Sequence, residues 1–137
     1  MKTKQELIKE LSLLEHIEGG NFSETYRAEK ELQTNYEGGV RNLGTSIYYM
    51  LTDEKPIGYL HHNKADVVHY FHGGSELTYY LIDPEGNLRV EVLGPTKPQS
   101  IVPGDHWKAT KLEKGEYGLL VVIFKPIYFR LATVPCI

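Results

Sequence analysis

Four of the six histidines in this 137-residue chain, His61, His62, His69 and His72, fall within HHNKADVVHYFH, with Asp66 among them. Imidazole nitrogens and carboxylate oxygens are the usual ligands of divalent metals, so His61, His62, Asp66 and His69 form a candidate metal set. A second reading stands beside it, in which these are histidines of strand ends, some solvated and some hydrogen-bonded among the ten tyrosines of the chain. An extended strand sends alternate side chains to one face, so Val67, His69 and Phe71 are expected to point the same way.

The elements that must position these residues can be read from spacing. Leu7, Leu11 and Leu14 recur at helical intervals with Ile8 beside them, and Thr3 followed by Glu6 has the form of a capping box. This predicts one helix over about 4–15. After Gly19-Gly20 the chain turns to short segments rich in Tyr, Val, Ile and Thr, with turn signals between them. Strands are predicted around 22–28 and at 45–51, 57–62, 67–72, 77–82, 88–93, 99–102, 107–112 and 118–125. The spacing leaves no room for helices between strands, which argues for antiparallel sheets in a sandwich or barrel. LTYYLI and LRVEVL around DPEGN read as a hairpin with a five-residue loop. The polar segment 29–42, with Gly38-Gly39, reads as a loop.

Composition limits the function classes. A net charge of -3, with no concentration of Lys or Arg, lacks the electrostatic footprint of a nucleic-acid binder. A single cysteine, Cys136, excludes an intrachain disulfide and a thiolate-rich zinc or iron–sulfur site. The longest apolar run, LLVVIF, is too short to cross a bilayer as a helix, and the charged N-terminal segment lacks the apolar core of a signal peptide. A cytoplasmic location with no membrane partner is therefore expected. The length suits one domain over 1–137, with a barrel at about 20–130.

Several segments together bear a family resemblance. Gly58 through His62, Asp66 and Gly73, followed by Pro103-Gly104-Asp105, have the layout of the two signature motifs of the cupin superfamily. EGGNFSETYR, Arg41 with TSIYYML, LIDPEGN and IVPGDHWKATKLEKGEYGLLVVIFKP extend the likeness along most of the chain. The chain most resembles cupin family 5, small cupins long catalogued as a domain of unknown function. The resemblance implies an all-β jelly-roll barrel with the N-terminal helix against its outer surface, and a homodimer. The apolar LSLL and VPCI segments are candidate interface material.

The departures from the cupin pattern bear on function. In that alignment the usual metal-ligating Glu falls at Val67, a further His at Tyr70, and the second-motif His at Lys108. Valine cannot donate to a metal and a charged lysine repels one, so no cofactor is expected, with a divalent metal on a substitute His and Asp set as the alternative. The expectation is a barrel that binds a small molecule, whether sugar-like, a sugar nucleotide or a carboxylate. His61, His69, Lys108, Glu24, Arg27, Arg41 and Tyr59 are the candidate ligand-binding residues. Strand alternation separates Glu24 from Arg27, and Lys108 has two readings, inward into the pocket or outward beside Trp107. The enzyme alternative is a metal-independent isomerase or epimerase, or a metal-dependent oxygenase. Its candidate catalytic residues are His61 or His69 with Tyr49 or Tyr70.

Overall fold

A computed structural model describes residues 1–35 and 39–124 and the backbone of 129–130. One helix, α1 (Lys4–Glu10), precedes the strands β1 (Leu14–Glu15), β2 (Asn21–Arg27), β3 (Glu31–Gln33), β4 (Val40–Asn42), β5 (Thr45–Thr52) and β6 (Ile57–Asn63). There follow β7 (Val67–Gly74), β8 (Leu77–Ile82), β9 (Leu88–Leu93), β10 (Gln99–Val102), β11 (Trp107–Lys111), β12 (Tyr117–Phe124) and β13 (Phe129–Arg130). The strands form a sheet in the order β1-β2-β5-β12-β7-β10, a second in the order β13-β6-β11-β8-β9, and a separate β3-β4 hairpin. Every pairing is antiparallel, and neighbours such as β5 with β12 and β6 with β11 are distant in sequence, the pattern of a jelly roll. The all-β expectation thus holds, and the long strands lie within a residue or two of the predicted ones.

The sheets are held together by the period-2 alternation of their strands. On β8, Leu77, Tyr79 and Leu81 are buried while the residues between them are partly exposed. They meet Leu51 of β5, Val67 of β7 and Leu120 and Val122 of β12 in one cluster that includes the Tyr49 and Phe71 side chains. Each fully buried Leu there contributes about 1.5–3 kcal/mol. β12 is covered on its other side as well: Leu119 joins Leu13, Met50 and Tyr117 beneath Leu7, Ile8 and Leu11. That second cluster seats α1 on the outer surface of the six-stranded sheet. Lys4 pins the helix further through Asp53 and Glu54 in the turn after β5.

Three expectations are corrected. The Thr3–Glu6 capping box forms, but the helix ends at Glu10, because Ser12 adopts a left-handed backbone (φ 54°) that a continuing helix cannot accommodate. Leu13 then turns into the second cluster, whereas Leu14 is 68% exposed and pairs with Phe22 in β1 instead of extending the helix. Of the LSLL segment, Leu11 and Leu13 are consequently consumed by the chain's own core. The 29–42 segment, read as a loop, contains the β3-β4 pairing of Glu31–Gln33 with Val40–Asn42. Cys136 and the VPCI segment, expected as interface material, lie outside the described residues. No helix among the described residues is long and apolar enough to cross a membrane.

Candidate functional site

Inside the barrel, polar side chains converge on a cavity with about 30 Å³ of free space, lined by His16, Glu18, Tyr49, His61, His69, Tyr79, Lys108 and Thr110 over an apolar floor of Ile47, Val122 and Phe124. Two backbone devices bring the charged groups there. The first is the turn that follows His16. Gly19 and Gly20 take φ of 89° and 71°, and a Cβ on Gly19 would lie 2.1 Å from the Ile57 carbonyl oxygen, so only glycine lets the turn lie flat against β6. The Tyr59 amide donates to the Glu18 carbonyl at 2.6 Å and the Tyr49 hydroxyl donates to the Gly19 carbonyl at 3.0 Å. Held this way, Glu18 directs its carboxyl into the barrel.

The second device is a β-bulge in β6. Lys108 pairs with His61, but Thr110 pairs with Gly58, so Tyr59 and Leu60 together span one step of the partner strand. The extra residue resets the alternation. Tyr59 is exposed, yet His61, two residues on, turns inward opposite Lys108. The bulge also frees the Tyr59 carbonyl, which accepts from His61 Nδ1 at 2.8 Å. A carbonyl can only accept, so the His61 hydrogen sits on Nδ1 and the Nε2 lone pair faces Glu18, 3.5 Å from Oε2.

On the other side of the cavity, His69 lies between two partners. Lys108 Nζ is 3.0 Å from Nε2 and the Tyr79 hydroxyl 3.1 Å from Nδ1. A charged ammonium has no lone pair to offer, so Nε2 accepts from Lys108 and Nδ1–H donates to Tyr79. His16 Nδ1 accepts from the Glu18 amide at 2.9 Å, and its ring meets Phe22 edge-on at 4.6 Å.

Burial dominates the electrostatics. It pushes the Glu18 carboxyl up to about 7, against a weaker opposing pull from Lys108. It brings the Lys108 ammonium down to about 8, although Glu18 acts to raise it. Burial first, and Lys108 second, lower His61 to about 3 and hold His16 and His69 below their ordinary range. Glu18 Oε1 is buried and has no hydrogen-bond partner among the described residues. These groups share one small volume in which burial disfavours every charge, Lys108 further disfavours charge on the histidines, and Glu18 and Lys108 favour each other's charged form.

Among the sequence candidates, His61, His69, Tyr49 and Lys108 meet in this cavity, and Lys108 resolves to its inward reading. The others lie elsewhere. Tyr70 is exposed on the outer face of β7, because it alternates with His69. Tyr59 lines an external groove together with His16, Gly19, Gly20 and Ile57. A bulge at Thr25 in β2 undoes the expected separation of Glu24 and Arg27, which join in an exposed ion pair at 2.6 Å. Arg41 bonds the Val40 carbonyl in the β3-β4 hairpin. Asp66 accepts from the Gly104 amide at 2.8 Å, and His62 meets Trp107 in a tilted ring contact and approaches Asp105. His61, His62, Asp66 and His69 therefore do not converge. Among the described residues no three His, Cys, Asp or Glu side chains are placed to hold a metal ion.

Sequence reasoning missed His16, Glu18, Tyr79 and Thr110. The signal for Glu18 was a carboxylate directly before two glycines, which is where a tight turn can thrust a side chain inward.

Residues 5–129 match the family described as Cupin superfamily (DUF985). The chain belongs to cupin family 5. An uncharacterised protein of Saccharomyces cerevisiae, YML079W, is 34% identical over 134 residues, covering 85% of this cupin and 66% of the yeast protein, so the chain spans just under two thirds of that relative. Among solved structures, protein SO0799 from Shewanella oneidensis is 30% identical with a TM-score of 0.84, over 94% of this chain and 81% of its own. A hypothetical protein from Leishmania major is 27% identical, also with a TM-score of 0.84, over 93% of this chain and 84% of its own. Oxalate decarboxylase of Bacillus subtilis shares the fold alone, at 15% identity and a TM-score of 0.61, with this cupin covering 28% of that longer chain.

Proposed function

We propose that this cupin binds a small anionic metabolite inside its barrel, with a carboxylate seated on Lys108. The observation that carries the reading is that Lys108, 4% exposed, has no carboxylate at ion-pair distance among the described residues and bonds instead to His69. A buried cation left in this state has lost its hydration and recovers interaction energy when an anion enters, so it supports anion binding far better than a surface lysine would. Glu18, its carboxyl raised to about 7 by burial, offers the same ligand a hydrogen-bond donor through its unpartnered end when it is protonated.

Size selects among the expected ligand classes. Free space of about 30 Å³ is of the order of one or two water molecules, which favours a short carboxylic acid. A sugar or sugar nucleotide would also need the external groove of about 320 Å³ beside His16, and would have to displace the turn at 16–20. The donor chemistry does not fit a divalent cation. Both His69 nitrogens are engaged, His61 commits Nδ1 to a carbonyl, and the Lys108 ammonium stands 3.0 Å from His69.

Calorimetric titration with short-chain carboxylates, neutral sugars and a sugar nucleotide tests the reading. A short carboxylate is expected to bind, and Lys108→Met to weaken it by about ten- to a hundredfold, the worth of one charge-assisted hydrogen bond. Binding that survives Lys108→Met unchanged, or no carboxylate binding by the wild type, would overturn it.

A further inference from the structure

We infer that Lys108 is a nucleophile that forms a Schiff base with small carbonyl compounds, aldehydes or 2-oxo acids, admitted to the barrel. The inference deepens the anion-binding reading and rests on it, since the same cavity must admit the substrate.

The geometry is that of an activated nucleophile: an amine, a base within hydrogen-bond reach, and a third group that orients the base. Lys108 Nζ lies 3.0 Å from His69 Nε2, and His69 Nδ1 lies 3.1 Å from the Tyr79 hydroxyl. Tyr79 is itself fully buried in the core cluster on β8. Across the cavity stands Glu18, with one carboxyl oxygen 3.5 Å from His61 and the other buried without a partner among the described residues. An acid with an unpartnered end in the same cavity as an amine is the complement that imine formation needs. Burial further supports the chemistry, because it holds Lys108 near 8 and so keeps a useful fraction of free amine at neutral pH.

The step balances within these residues. The neutral Lys108 amine adds to the carbonyl carbon, forming the C–N bond while the C=O π pair moves to oxygen. The proton shed by nitrogen reaches the alkoxide, a transfer that His69 Nε2 is placed to relay, and a carbinolamine results. Glu18, as the carboxylic acid, protonates the hydroxyl, the C–O bond breaks, and water leaves. The products are the Lys108 iminium, one water and the Glu18 carboxylate, which remains as counter-ion.

The test uses the full chain with pyruvate as the carbonyl probe and sodium cyanoborohydride as the reductant, at near-neutral pH. Peptide mapping by mass spectrometry then locates the reduced pyruvyl adduct. Lys108 is expected to be labelled at least about tenfold faster than any exposed lysine, as its activation requires. Tyr79→Phe, which removes the hydroxyl that orients His69 and keeps the ring, is expected to slow labelling of Lys108. Adducts confined to exposed lysines such as Lys9 and Lys114 would overturn the inference. Calorimetry with lactate, which has no carbonyl, separates the two readings. Lactate and pyruvate binding without a Lys108 adduct sinks the Schiff base alone, whereas no binding of either sinks both.

Discussion

Glu18 and Glu24 stand six residues apart and each sits near a basic partner, yet they do opposite things. Glu24 makes the better-formed contact, 2.6 Å to the Arg27 guanidinium, with both side chains open to solvent. Glu18 has a longer approach of 3.5 Å to His61, a neighbouring buried Lys108 and one oxygen with no partner among the described residues. Water explains the difference. At the surface, solvent screens the pair and hydrates whatever the partner leaves unsatisfied, so its net worth is small. In the barrel burial weakens that compensation, and an incompletely satisfied cluster retains affinity for whatever completes it. The tightness of an ion pair is therefore a poor guide to function here.

The largest expected effect comes from breaking the turn that makes the inner cluster. Gly19→Ala combines a disfavoured left-handed backbone with a Cβ 2.1 Å from the Ile57 oxygen, and is expected to cost about 3 kcal/mol of stability and to abolish carboxylate binding. Denaturant midpoints together with calorimetry check both parts. A stable, binding-competent variant would show that the turn does not position Glu18.

A smaller effect concerns pH. Folding raises Glu18 to about 7, so its contribution to stability is fully present below its unfolded value near 4.5 and is lost as pH rises through 7. His61, lowered to about 3, works in the opposite sense: its contribution is present above 6.5 and is lost as pH falls toward 3, and His16 and His69 shift in the same direction. In the wild type the two trends oppose one another between pH 5 and 7. Glu18→Gln removes the counterweight, so acidification from pH 8 to pH 5 should destabilise the variant more steeply than the wild type, by at most about 1.4 kcal/mol per pH unit. Parallel stability curves for the two proteins would contradict the assignment.

The smallest effect belongs to the outer pair. Arg27→Ala is expected to change stability by less than about 1 kcal/mol, with the change fading at high salt, and to leave carboxylate binding untouched. Loss of binding in this variant would return the β2 edge to the site.

How much was legible follows from the physics of each level. Strand existence was readable because short segments rich in Tyr, Val, Ile and Thr, such as LTYYLI and TSIYYML, stand between turn-forming residues, whatever the partner strand is. The location of the cavity was readable at His61, His69 and Lys108 through the cupin layout of the motifs. Tyr70 was misplaced as an inward residue by chemistry, although its neighbour His69 already occupied the inward position of an alternating strand. The separation of Glu24 from Arg27 was sound for a regular strand and failed at Thr25, where the strand is not regular.

By itself, then, the sequence determined the fold class, the positions of the long strands, the seating of α1 through Leu7, Ile8 and Leu11, and the region of the barrel where polar groups gather. The strands and the apolar face of α1 are consequences of local periodicity and of turn-forming residues, and the polar region was read from the resemblance of the motifs to the cupin layout. Only the tertiary structure decided which of those groups meet. A single extra residue at Tyr59–Leu60 turns His61 inward, another at Thr25 turns Arg27 toward Glu24, and the positive-φ turn at Gly19-Gly20 delivers Glu18 from outside the strands altogether. A bulge is defined by register against a partner strand, and that register is a property of two distant segments together.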